Sequence, residues 1–212
     1  MSSPATLPSA SRAAWLKNLH RWHWISSALC LMGMLLFSIT GITLNHATQI
    51  EAKPTVTKRK ASLPAPLRRD LEQFAAGHAD ARAPLPPRVA SWADREFGLD
   101  VATIDAEWTE EDAYVALPRP GGDAWLRIGV DGAAEFEKTG RGMVSWLNDL
   151  HKGRNAGPVW GWFIDIFAIA CVVFSLTGFL IMKLHAANRP STWPVIGAGI
   201  LLPLLLALLF TH

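Results

Sequence analysis

Two cysteines, Cys30 and Cys171, are all the thiols in this 212-residue chain, and neither belongs to a CxxC or CxxCH arrangement. That leaves no support for covalent c-type haem attachment, a cysteine-held iron–sulfur cluster or thioredoxin chemistry, and both read as small residues inside apolar runs. Carboxylates are missing from the first 50 residues altogether. Of the 18 Asp and Glu, 17 fall within residues 47–158, alongside 15 of the 20 Lys and Arg. The bases there are scattered and outnumbered, so nothing forms a nucleic-acid-binding patch. No GxGxxG strand–helix unit, phosphate-binding Gly-rich loop, Ser/His/Asp arrangement or glycosidase carboxylate pair can be assigned, which argues against direct NADH oxidation and against those hydrolases.

What is present in quantity is apolar sequence. Ile25–Leu44 is an uninterrupted 20-residue run, long enough as a helix to cross a hydrocarbon core of about 30 Å. Val159–Met182 is broken only by Asp165, and Trp193–Phe210 carries Pro194, Gly197, Gly199 and Pro203, which predict a kinked or tilted helix. A simple soluble protein is excluded, and an α-helical membrane protein with three transmembrane helices and a small extracytoplasmic α+β domain is expected. Arg12–Trp24 mixes bases with tryptophans, as expected at the headgroup level, and the first apolar run exceeds a signal-peptide core, so the anchor is read as retained. The expected parts are an interfacial segment 1–24, spans at 25–46, 151–185 with its lead-in, and 193–211, and an outer domain at 47–150. Arg12, Lys17 and Arg21 before the first span, with Lys183 and Arg189 between the second and third, put the N-terminus in the cytoplasm and residues 47–158 outside.

The outer region reads as a basic linker over Lys53–Pro66, helices over Leu67–Ala76 and Val89–Phe97, and strands over Val101–Trp108, Ala113–Leu117, Trp125–Val130 and Ala133–Glu137. Pro84–Pro87 breaks the chain, Pro118–Asp123 is a turn and Asp131-Gly132 a tight hairpin turn. Glu107, Glu110, Glu111 and Asp112 lack EF-hand turn chemistry and read as a solvated acidic face.

Histidine supplies the chemical signal. Of seven, His20, His23, His46, His151 and His185 fall at predicted membrane boundaries; His78 and His212 do not. His23 to His46 spans about 35 Å of helix, so the set sorts into two depths: His46 with His151 outside, and His20 or His23 with His185 inside. Neutral imidazole donates a nitrogen lone pair to iron, so two b-type haems, each held by two histidines, fit the spacing and would make a transmembrane electron wire. At about 100° per residue His20 lies about 80° from His46 around the helix and His23 about 140°, which favours His20 for a common column and leaves His23 as a hydrogen-bond donor behind the ligands, a propionate contact or an interface residue. Lys152, Arg154 and Asn155 outside, and Lys17 and Arg21 inside, would meet propionates. Structural zinc with Asp149 beside His151 is the rival.

Two features remain. Phe37-Ser-Ile-Thr-Gly41 is echoed by Phe174-Ser-Leu-Thr-Gly178. The pair reads either as close helix packing with hydroxyls bonded to their own backbone or as space cleared for a flat cofactor. Asp165, an ionisable residue inside a span, is expected to face protein or water.

The ordered set Leu19-His-Arg-Trp22, Asn45-His46, Asn148-Asp-Leu-His-Lys-Gly153 and Lys183-Leu-His185, with the strand–turn–strand of Tyr114–Phe136, resembles the PepSY-associated transmembrane-helix family over most of residues 15–186. Larger relatives look like inner-membrane ferric-siderophore reductases. The resemblance implies a bacterial inner-membrane protein in which His46, His151 and His185 correspond to haem ligands, with the inner partner drawn from His20 or His23. It further implies a quinone or cytoplasmic-side electron donor, a ferric chelate as acceptor, and a homodimer or partner membrane subunit completing the pocket. PepSY modules are also associated with peptidase regulation, so the alternative to the dihaem electron-transfer reading is a non-enzymatic anchor or accessory subunit.

Overall fold

The computed structural model describes residues 9–50 and 53–210. Residues 1–8 and His212 lie outside that range. Among the described residues three helices are long and apolar enough to cross a membrane: α1 (Ser9–Asn45), α5 (Gly157–His185) and α6 (Thr192–Phe210). At 37 residues α1 is about 55 Å long, so the apolar run and the basic, tryptophan-rich stretch before it form one continuous helix. Pro203 lies inside α6, where it supplies no backbone N–H to the helix.

Between α1 and α5 the chain runs β1 (Thr55–Ser62), α2 (Ala65–His78), β2 (Arg82–Pro84), α3 (Pro87–Phe97), β3 (Asp105–Trp108), β4 (Asp112–Ala116), β5 (Gly122–Gly129), β6 (Ala133–Gly140) and α4 (Gly142–His151). The strands form one antiparallel sheet in the order β1-β6-β5-β4-β3-β2, open at both edges. The chain divides into two compact units, Met1–Leu36 with Trp162–His212, and Phe37–Gly161.

Alternation explains the sheet. Along β5 the residues Ala124, Leu126 and Ile128 are buried while Trp125 and Arg127 point the other way. Leu71 of α2 and Val89 of α3 join them in one core, each fully buried and each worth roughly 1.5–3 kcal/mol relative to exposure. Trp108, the largest of the fully buried side chains there, is 1% exposed, and its indole N–H donates to Ala83 O at 2.8 Å, tying β3 to β2. Proline and glycine set the limits of α3: Pro87 opens it, and Gly98 ends it in the left-handed conformation (φ 72°) with its N–H on Asp94 O. The outer face carries ion pairs in place of a second layer, among them Arg127 with Asp112 at 2.8 Å and the exposed pair of Arg82 with Glu107.

Three local expectations change. The segment expected as a basic linker is mostly strand: Thr55–Ser62 pairs along its whole length with β6. Its side chains are almost all exposed, so the usual alternation of apolar and polar residues is absent; Lys58 and Lys60 point at Glu137 and Glu135 of the neighbouring strand. The strand expected from Val101 begins only at Asp105, because Val101–Ile104 forms a turn, closed by Ile104 N–H to Val101 O. Residues 142–151, where the sequence pattern predicts no element of their own, form the separate helix α4, whose first residue Gly142 takes a positive φ of 85°.

Candidate functional site

The five boundary histidines divide by how each ring is held. His20, His46 and His185 are exposed, and each donates Nδ1–H to the carbonyl four residues back on its own helix, on Leu16, Ile42 and Ile181, at 2.9 Å. A carbonyl oxygen only accepts, so Nδ1 carries a proton, and in the neutral ring the lone pair is on Nε2.

His23 is instead gripped by a neighbouring helix of its unit. Its Nδ1 lies 3.0 Å from Thr177 Oγ1, and its ring stacks on Phe174 with centroids 4.8 Å apart and planes 12° from parallel. The single hydroxyl proton of Thr177 is already directed into its own helix, 2.7 Å from Val173 O and 3.0 Å from Phe174 O. Thr177 therefore accepts and the imidazole donates. Gly178 completes the seat, because a Cβ there would stand 3.1 Å from His23 Cε1.

His151, the last residue of α4, sits the same way within the other unit. Its Nδ1 is 2.7 Å from Thr40 Oγ1, its ring lies 5.0 Å from Phe37, and a Cβ on Gly41 would stand 3.6 Å from its Cε1. Thr40 donates to Phe37 O at 3.2 Å, so here too the imidazole is the donor. The two echoed sequences are thus two copies of one histidine seat: Phe beside the ring, Thr accepting from Nδ1, Gly making room for Cε1. Sequence reasoning recognised the echo and the hydroxyls turned onto their own backbone. It missed Thr40 and Thr177 as partners of histidine; the repeat was the signal, and the space its glycines clear is taken by imidazole.

The neighbours of His151 have other work. Asp149 Oδ2 accepts the Gly121 N–H at 2.8 Å, and buried Asn148 Oδ1 accepts from the Thr43 hydroxyl at 2.8 Å. Among the described residues no three His, Cys, Asp or Glu side chains cluster as a metal site, which removes the support for structural zinc. Lys17, Arg21, Lys152, Arg154 and Asn155 are exposed, as is Asp165 on α5.

A b-type haem would require imidazole Nε2 lone pairs, and all five rings fit that donor chemistry, because every Nδ1 is committed to an oxygen acceptor. Among the described residues, the ring contacts of His23 and His151 are with Phe174 and Phe37, and none joins two of the five histidines.

Residues 14–212, nearly the whole chain, match the PepSY_TM-like family. The chain belongs to that family. Membership expected from the ordered histidine motifs thus holds across all three apolar helices and the α+β domain between the first two. The match supports a membrane protein and does not bear on haem or reductase activity. No curated protein and no solved structure matches the chain.

Proposed function

We propose that this PepSY_TM-like protein is a non-enzymatic membrane anchor that presents its α+β domain to a protein partner, as an accessory subunit of a peptidase or respiratory complex. The observation that carries this is the architecture: a domain with its own hydrophobic core is inserted between the first and second apolar helices, so both of its chain ends lead into membrane-length segments. The short basic flanks support a cytoplasmic N-terminus and an extracytoplasmic domain in a bacterial inner membrane. A homodimer or a partner membrane subunit would supply cover for the helix surfaces. The test is a reduced-minus-oxidised visible spectrum of the detergent-purified full chain, expressed with ample haem supply, with pyridine-haemochrome quantification. Absence of haem is the expected result; a b-type spectrum at one or two haems per chain would overturn the anchor reading.

One observation favours a second reading, a dihaem electron-transfer protein linking a quinone or cytoplasmic donor to a ferric siderophore or other periplasmic acceptor. All five boundary imidazoles are poised with Nε2 as the free lone pair, the state an iron ligand needs. Haem would supply one-electron transfer in that case. His46 and His151 would hold the outer group, and His185 with His20 or His23 the inner one. Thr40 and Thr177 would act as positioning residues, fixing the tautomer and plane of His151 and His23.

A further inference from the structure

The turn that joins α5 to α6 borders an open cavity of about 580 Å³, within the range of about 300–1,000 Å³ typical of small-molecule sites. Its floor is apolar, made by Ile181 and Met182 at the end of α5 and by Val195 and Ile196 in the first turns of α6. Its rim is polar, with His185, Asn188, Arg189, Ser191 and Thr192, so it shares His185 with the second reading above. Among the described residues no carboxylate pairs with Arg189, and none stands nearby in the chain, because no Asp or Glu follows Asp165. No acidic residue occupies the first turn of α6 either, so the partial positive charge of that helix end adds to the guanidinium.

A cationic rim over an apolar floor, set between two helices of membrane-spanning length, calls for a ligand that is anionic at one end and hydrocarbon at the other. We propose that this cavity binds the phosphate headgroup of an anionic phospholipid. Arg189 takes the phosphate through its forked N–H groups, Asn188 and Ser191 supply further donors, and the glycerol and acyl roots rest on Ile181, Met182, Val195 and Ile196. Inorganic phosphate would leave the floor unused. A quinone would leave the guanidinium without a counter-charge. Val195 is 67% exposed, so the floor is continuous with surface that acyl chains cover. The site requires neither function proposed above.

The test is native mass spectrometry of the detergent-purified full chain titrated with dioctanoyl phosphatidylglycerol or dioctanoyl phosphatidylcholine, with inorganic phosphate and a short-chain quinone as competitors. Expected is saturable binding of phosphatidylglycerol, about tenfold weaker in Arg189→Gln and largely kept in Arg189→Lys. Lys183→Gln removes the same charge from a residue outside the cavity lining and should change binding less than twofold. Equal loss in Lys183→Gln and Arg189→Gln, or equal binding of phosphatidylcholine, would overturn the proposal by showing non-specific attraction. Displacement by inorganic phosphate would make it a free-anion site, and displacement by the quinone a site for a neutral amphiphile; either result overturns the lipid assignment.

Discussion

The imidazole of His23 and the hydroxyl of Thr177, 154 residues apart in the chain, share a hydrogen bond of 3.0 Å whose direction is fixed by the backbone beneath it. Thr177 has given its proton to the helix carbonyls, so His23 holds the Nδ1–H tautomer. The pair does two things at once: it ties α5 to α1, and it turns Nε2 into an acceptor.

Thr177→Val keeps the shape of the side chain and removes the acceptor. It should cost about 1 kcal/mol and release the tautomer of His23, visible in the nitrogen chemical shifts of labelled histidine. Thr177→Ser should restore the wild-type spectrum. An unchanged tautomer in the valine variant would show that the hydroxyl does not set it. The same experiment on Thr40→Val reports on His151.

The two seats differ in tightness. Gly178→Ala places a methyl 3.1 Å from His23 Cε1, whereas Gly41→Ala places one at 3.6 Å from His151, an ordinary contact. Gly178→Ala should lower thermal stability in detergent by about 1–3 kcal/mol through overpacking. Gly41→Ala should be neutral or stabilise by up to about 1 kcal/mol, since alanine is the better helix residue. Equal effects would contradict the geometry.

Gly121 and Gly98 share a left-handed φ, 71° and 72°, but only at Gly121 would a Cβ meet the backbone of Trp146, at 2.7 Å. Gly98→Ala should therefore cost about 1–2 kcal/mol from backbone strain alone. Gly121→Ala should cost about 3 kcal/mol or more, and should speed amide exchange in α4, because the turn that receives Asp149 is pushed away from that helix.

Cys30 and Cys171 are both free thiols, close enough for each to bear on the other. Mild oxidation with copper phenanthroline should join them. After proteolysis within residues 53–140, the two membrane fragments should migrate together until reductant is added. Separate fragments after oxidation would refute this packing of α1 on α5.

On the sheet, Lys58 Nζ lies 2.7 Å from the Glu137 carboxylate, which holds the ammonium above its usual pKa of 10.5. A pKa higher in the folded state means the pair stabilises fully below the unfolded value and loses that contribution as pH rises through the folded one. The titration of Lys58, followed by nitrogen NMR of its side chain, should move down in Glu137→Gln and with added salt.

Much of the fold is legible residue by residue. Ile25–Leu44 and Val159–Met182 announce spans by length alone, and Ala124, Leu126 and Ile128 announce a half-buried strand by alternation. Thr55–Ser62 is not legible that way. Its partner strand lies more than 70 residues on, and its exposed lysines find their carboxylates only after pairing. The histidines were legible as a boundary set, and the echo as a repeat, yet nothing local joins one to the other.

What the sequence determined by itself is therefore what short-range forces decide: apolar runs long enough for a bilayer, period-two strands and the Asp131-Gly132 hairpin. Tertiary structure decided which groups meet. Hydrogen bonds between His23 and Thr177, or His151 and Thr40, depend on the rotation and register of helices whose contact faces are almost uniformly apolar. Many rotations bury the same hydrocarbon surface, so hydrophobicity leaves the choice open. Directional bonds between single polar side chains, and the absence of a Cβ beside each ring, make it.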